Sequence, residues 1–257
     1  MAQLYRLCHL PEHRDNIPAC MKGFGAEVSP LCEYPMFVKA YDTISDVRYG
    51  LLSAKFQAKT NLTEAKFLEW IDEKCPESDV YFINPCPLNE ALWLNTVQQG
   101  RCHPELPGIF ARTLPEFDQL SIMTQSSFAL CNYFVATRKF WKAYLDFGNY
   151  FLGQLSPQDK TFMYDSSANY GRNQSLPYYP FVMERLFSVF LSMKHSFRVS
   201  YYRYTFDELV EKYPSLTKST IKEIMKLSEA KDQGHISFWN ALRYAVVTNN
   251  PNIFNME

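Results

Sequence analysis

Glu184 and Arg185 sit side by side in an otherwise apolar run, Pro180-Phe-Val-Met-Glu-Arg-Leu-Phe-Ser-Val-Phe-Leu-Ser-Met193. A carboxylate and a guanidinium among Phe, Val and Leu are costly to bury unless they are paired or at work. Two roles fit: a strut that ties the segment to the body of the protein, or a carboxylate aimed into a pocket and tuned by a neighbouring cation. Lys55 and Lys59 lie one helical turn apart, just after Arg48. Ammonium groups at that spacing repel mildly unless an anion such as a diphosphate lies between them, and a solvated basic face explains the spacing equally well. His103, in Gln98-Gln-Gly-Arg-Cys-His-Pro104, suits either a donor to a phosphate or sugar hydroxyl, or a helix-end cap.

The missing motifs narrow the chemistry. No Asp-x-Asp occurs, so a carboxylate pair gripping a Mg²⁺ or Mn²⁺ diphosphate is not visible. Asn84, in Asn-Pro-Cys-Pro-Leu-Asn89, suits a hydrogen bond to a nucleotide or sugar and makes a poor lone metal anchor. Gly-x-Ser-x-Gly, His-Glu-x-x-His, Walker and Gly-x-Gly-x-x-Gly patterns are also missing, which removes most hydrolase, ATPase and dehydrogenase readings. The 7 cysteines are dispersed, with no Cys-x-x-Cys pair, as expected of thiols in a reducing cytosol.

The elements that must position these residues alternate between strand and helix. Strands are predicted over residues 3–10, 47–53, 79–85, 127–135 and 197–204, the run Asp79-Val-Tyr-Phe-Ile-Asn-Pro85 being the clearest. Residues 14–48, broken by Pro18, Pro30 and Pro35, read as irregular. Helices are predicted from an Asn61 cap to about 74, over 88–99 closed by Gly100, over 104–114, after a Thr137 cap, from Pro180, after a Thr205 capping box, and over 216–231 and 237–247. The polar stretch 156–176 reads as a long loop able to close over a ligand. This alternation predicts an α/β fold, a mostly parallel Rossmann-like sheet flanked by helices, with ligands at the carboxyl ends of the strands. Those ends include residues 9–13, 50–55, 84–89 and 132–137.

A length of 257 residues suits one domain, 1–257, with a helical C-terminal part from about 205. The net charge of -1, without a basic stripe, argues against a nucleic-acid partner. Aromatic residues make up 16% and Gly only 9 positions, which favours thick aromatic packing over a Gly-rich phosphate loop. The start, Met-Ala-Gln-Leu-Tyr-Arg, has no apolar signal core, and no apolar run reaches the ~20 residues needed to span a bilayer. A cytoplasmic protein is expected. The segment 238–244, Phe-Trp-Asn-Ala-Leu-Arg-Tyr, suits either core packing or peripheral contact with a membrane.

Taken in order, Tyr49-Gly-Leu-Leu-Ser-Ala-Lys-Phe-x-x-Lys-Thr60, Asp79-Val-Tyr-Phe-Ile-Asn-Pro, Gln-Gly-x-x-His103-Pro, Cys131-Asn-Tyr-Phe-Val-Ala-x-x-x-Phe-Trp-Lys-x-Tyr144 and Met183-Glu-Arg-Leu-Phe-Ser188 carry a resemblance over about residues 45–195. The chain resembles glycosyltransferase-like proteins of bacterial capsule and O-antigen gene clusters, and is similar to GT-A-type enzymes that transfer a sugar from a nucleotide-sugar donor. The resemblance implies a donor site built from Tyr49, Ser53, Lys55, Lys59, Asn84, Asn132 and Arg185. Glu184 would take the proton of the acceptor hydroxyl, its apolar neighbours lifting its pKa toward the useful range, with His103 as the other catalytic group. The acceptor would be a growing glycan or lipid-linked saccharide at the inner face of the membrane. In this mechanism Lys55, Lys59 and His103 neutralise the departing phosphate in place of a metal. A relative that keeps the fold as a non-catalytic binding or assembly module is the other expectation.

Overall fold

Each central strand buries both of its faces, and the side chains sort by their alternation. Tyr5 and Leu7, Tyr49 and Leu51, Val80 and Phe82, and Phe134 and Ala136 enter one apolar cluster. Leu4, Leu52, Tyr81, Ile83, Tyr133 and Val135 enter another on the opposite face. A strand buried on both sides reads as a nearly continuous apolar run, which is why 79–85 is legible in the sequence. The computed structural model describes residues 2–8, 11–25, 31–73, 78–98, 103–170, 174–193 and 196–253.

In chain order the elements begin with β1 (Gln3–Cys8), β2 (Met21–Gly25), α1 (Glu33–Thr43), β3 (Arg48–Leu52), α2 (Phe56–Thr60) and α3 (Glu64–Glu73). There follow β4 (Val80–Phe82), α4 (Pro87–Leu92), α5 (Leu106–Thr113), β5 (Phe134–Thr137), α6 (Arg138–Gln154) and α7 (Pro157–Asp165). A hairpin, β6 (Ser167–Tyr170) and β7 (Gln174–Pro177), leads to α8 (Tyr179–Ser192) and β8 (Val199–Tyr201). The chain continues with α9 (Phe206–Lys212), α10 (Lys218–Asp232) and α11 (Ile236–Asn249).

The main sheet has six strands in the order β2-β1-β3-β5-β4-β8. Pairs β1–β2, β1–β3 and β4–β8 are parallel, whereas β5 runs antiparallel to both β3 and β4. The protein is thus α/β with a mostly parallel, mixed sheet, compatible with a Rossmann-like fold. Helices α1, α5, α6 and α8 cover one face, and α2 and α3 the other. A further cluster joins α4 to α9, α10 and α11 through Leu88, Leu92, Leu209, Ile224, Leu227 and Trp239.

The structure departs from the sequence reading in five places. Residues 14–48 contain β2 and α1: β2 is an edge strand with only Met21 buried, so it carries no alternation, and Pro35 falls in the first turn of α1, where its missing N–H is harmless. The strand predicted over 127–135 is confined to Phe134–Thr137 and is reversed. Asn61 does not cap α3; it closes α2 in the left-handed region (φ 60°), and Thr63 Oγ1 instead accepts the Lys66 N–H. The helix over 88–99 ends at Leu92, and Gly100 lies outside the described residues. The stretch 156–176 is not a long lid but the Ser156-capped α7 and the β6–β7 hairpin, held to the body by an Asp159–Arg112 ion pair of 2.6 Å.

Candidate functional site

The reversal of β5 decides what meets at the carboxyl edge of the sheet. Because β5 runs against its neighbours, its entry loop, Ala129–Tyr133, arrives where β3 and β4 exit. The exit of β3 supplies Ser53 and then α2 with Lys59. Helix α1 contributes its first residue, Glu33, and α8 crosses with Glu184 and Arg185. Two side chains fix the entry loop: Ser188 Oγ donates to the Ala129 carbonyl (2.7 Å) and accepts its N–H (2.8 Å), and Asn84 Oδ1 accepts the N–H of Leu130 (3.2 Å). Helix α1 is seated against α6 at Gly148, where an added Cβ would come 1.7 Å from Tyr34 Oη. That close approach holds the Glu33–Tyr34 turn in place. Two non-glycine residues beside the cluster, Cys32 (φ 55°) and Cys131 (φ 70°), adopt left-handed backbone, a strain that persists only where surrounding contacts enforce it.

The cluster is a relay of charges and donors. Lys59 Nζ donates to Cys131 Sγ at 3.0 Å, Cys131 hydrogen-bonds the Glu184 carboxylate, and Arg185 Nη1 donates to Glu184 Oε2 at 2.5 Å. Asn132 Nδ2 donates to Glu33 Oε2 at 3.4 Å. Both carboxylates are shielded, yet 24% of the Glu184 side chain remains open to solvent, so it is not sealed in the core.

Their proton affinities diverge. Burial raises the pKa of Glu33, the neighbouring Glu184 raises it further, and Lys59 and Asn132 offset this only in part, leaving it at about 7. Burial also pushes Glu184 upward, but Arg185, Lys59 and the hydrogen bonds from Arg185 and Cys131 outweigh it, and its pKa falls below the ordinary carboxylate value. The rise expected for Glu184 is therefore found on Glu33. For Lys59, burial opposes the charge, yet the Glu184 carboxylate and the hydrogen bond to Cys131 Sγ favour it and keep the ammonium protonated. Burial pushes the Cys131 thiol up, with Glu184 adding to the rise.

His103 lies beside Arg185 and Glu184, its ring 4.1 Å from that of Phe181. Burial, then Arg185, lower its pKa to about 4, against the opposing pull of Glu184. In this environment it is neutral near pH 7, a hydrogen-bonding group and not a standing positive charge. Two buried polar atoms in this region, His103 Nδ1 and Asn132 Oδ1, have no hydrogen-bond partner among the described residues. Such atoms cost about 1–3 kcal/mol each unless a ligand or water meets them.

Of the residues proposed from sequence, Glu184, Arg185, Lys59, His103 and Asn132 converge. Lys55 is exposed at the rim, close enough to Cys32 to act on its thiol. Ser53 is tied to the Tyr133 hydroxyl at 2.9 Å, beside the cluster. Asn84 is a clamp for the entry loop, bonding Cys86 as well as Leu130. Tyr49 is a correction: its ring lies stacked 5.2 Å from Trp141 in the core, because its position in β3 faces α6 and not the edge.

Sequence reasoning missed Glu33 and Cys131. Glu33 stood in a stretch read as irregular, and its only local signal was a Glu two residues before a proline, at the start of a helix. Among the described residues no group of three or more His, Cys, Asp or Glu is arranged to hold a metal ion, and none of the described cysteines forms a disulfide. No described helix is long and apolar enough to cross a membrane. Comparisons with protein-family models, curated proteins and solved structures find no match.

Proposed function

We propose that this protein is a GT-A-type glycosyltransferase that moves a sugar from a nucleotide-sugar donor to a glycan or lipid-linked acceptor of a bacterial surface polysaccharide, working at the inner face of the membrane. The observation that carries the reading is a pair of neighbouring carboxylates with opposite proton affinities, set beside Lys59 and Arg185 at the carboxyl edge of the sheet. Environments that split two titratable groups in this way are the usual means of assigning acid and base roles.

In this mechanism the acceptor hydroxyl attacks the anomeric carbon and gives its proton to Glu33. The bond from that carbon to the phosphate oxygen breaks, and the diphosphate leaves with the electron pair. Lys59 and Arg185 supply the charge that stabilises the leaving group, with Lys55 at the rim. Neutral His103 and Asn132 offer their unpartnered atoms to the donor as hydrogen-bonding groups. Glu184 keeps the cations in place and, by its own charge, keeps Glu33 basic enough to accept a proton near neutral pH.

The test is a nucleotide-sugar panel with product detection by mass spectrometry. At least one donor should be consumed, with kcat/KM rising with pH through about 7 as Glu33 loses its proton. Glu33→Gln should lower kcat by roughly 10²–10⁴-fold and abolish that limb. Normal turnover by Glu33→Gln would remove it as the base. The short Arg185–Glu184 contact favours a second reading, a non-catalytic binding module in which the ion pair is a strut. Nucleotide-sugar binding without product in the same assay supports that module.

A further inference from the structure

We infer that a second site, a cleft for a neutral saccharide, lies beside the charged cluster, between the end of β8 and the inner face of α10. The cleft encloses about 380 Å³, within the range of small-ligand pockets. One wall is aromatic: Tyr201, Tyr202 and Tyr204, all half-buried, run out of β8 along it. Their hydroxyls are already fixed, Tyr201 Oη accepting from Arg203 Nε at 3.0 Å and Tyr202 and Tyr204 donating to Glu208 and the Thr60 carbonyl at 2.7 and 3.0 Å. This wall therefore offers ring surface, the apolar platform that the C–H face of a sugar requires.

The opposite wall sets apolar Leu209, Ile224 and Met225 beside polar groups that are held in position. Asp232 accepts the Gln125 N–H and Nε2 at 2.9 and 3.0 Å, and Ser228 donates to Glu90 at 2.6 Å. Amides, a hydroxyl and carboxylates together supply the mixed donors and acceptors that hydroxyl groups pair with, and their being held beforehand lowers the ordering cost of binding.

Charge argues against the main alternative of a phosphate ligand. Glu229 and Asp232 line the cleft against Arg203, which is itself laid over the Tyr201 ring at 5.0 Å and faces Asp232 at 3.7 Å, while the charge of Glu90 is met by the buried Lys231 at 3.4 Å. A diphosphate is repelled here and attracted to Lys59 and Arg185. The two sites share a wall: Asn84 lines the cleft while holding Leu130, the residue next to Cys131. As the acceptor site, the cleft rests on the transferase reading; as a saccharide site it stands on its own lining.

The experiment titrates the full chain with neutral gluco-, galacto- and manno-oligosaccharides, with oligolysine, and with a nucleotide-sugar panel, read by saturation-transfer NMR and calorimetry. At least one oligosaccharide should bind, weakened tenfold or more by Tyr201→Ala and by the cleft-filling Met225→Trp, with nucleotide-sugar affinity within twofold of wild type. Lys59→Met should give the reverse pattern. Should Tyr201→Ala fail to fold, Met225→Trp decides. Oligolysine binding in place of saccharide, saccharide binding indifferent to Met225→Trp, or no saccharide binding at all overturns the assignment. Saccharide binding without any nucleotide-sugar binding leaves the cleft standing and sinks the transferase reading instead.

Discussion

Glu33 and His103 titrate in opposite senses, and the stability of the protein should record both. Glu33 has its pKa raised from 4.5 to about 7, so the folded chain keeps a proton that the unfolded chain has lost. Its contribution is therefore full below 4.5 and fades as pH rises through about 7. His103 is lowered from 6.5 to about 4, so the folded chain refuses a proton that the unfolded chain accepts. Its contribution is present above 6.5 and fades as pH falls toward 4. Between roughly 4.5 and 6.5 the two slopes oppose each other. Chemical denaturation across that window should show Glu33→Gln gaining stability with rising pH relative to wild type, and His103→Asn losing it. Parallel curves for all three proteins would mean that neither group is perturbed by folding.

At the scale of elements, the site depends on one loop in which the backbone groups of Ala129 and Leu130 are met by side chains, while the Tyr133 carbonyl accepts the Ile83 N–H at 3.0 Å. Helix α8 is apolar nearly all round, as befits a helix surrounded by protein, and its Ser188 reaches out to bond both the N–H and the carbonyl of Ala129. Ser188→Ala leaves both groups buried without that partner, and should lower stability by about 1–3 kcal/mol in chemical denaturation. If the proposed function holds, it should also weaken nucleotide-sugar binding, because Cys131 and Asn132 follow directly. Loss of stability without loss of binding would mean that Asn84 alone holds the loop.

For the molecule as a whole, the C-terminal helices are fastened to the sheet layer through a buried pair. Lys231 of α10 and Glu90 of α4 lie 3.4 Å apart with side chains 0% and 3% exposed, and Lys231 also donates to the carbonyls of Glu90 and Trp93. Burial pushes Glu90 up and Lys231 down, each partner opposing the shift of the other. Lys231→Met strands a buried carboxyl and two carbonyls and should cost about 3–5 kcal/mol, with the double variant Glu90→Gln/Lys231→Met less affected. A single-variant loss under about 1 kcal/mol would show the pair to be dispensable. Trp239 completes this junction by donating to the Ala91 carbonyl, while Phe238 and Tyr244 of the same helix stay exposed.

The alternation of buried strands and capped helices was written in local sequence, because a strand covered on both faces must be apolar throughout and a cap needs its hydroxyl at a set distance. Thr137 and the Thr205–Glu208 box act as their residue types predict. The oddity of Glu184 and Arg185 within an apolar run was legible for the same reason: buried charge is rare without a partner. What the chain order could not carry was the direction of β5, since parallel and antiparallel strands share one side-chain period. That direction brought Asn132 and Cys131 to the edge where β3 and β4 end. Nor could it tell which carboxylate keeps its proton, because that depends on Arg185, Lys59 and Glu33 being neighbours in space, and only folding makes them so.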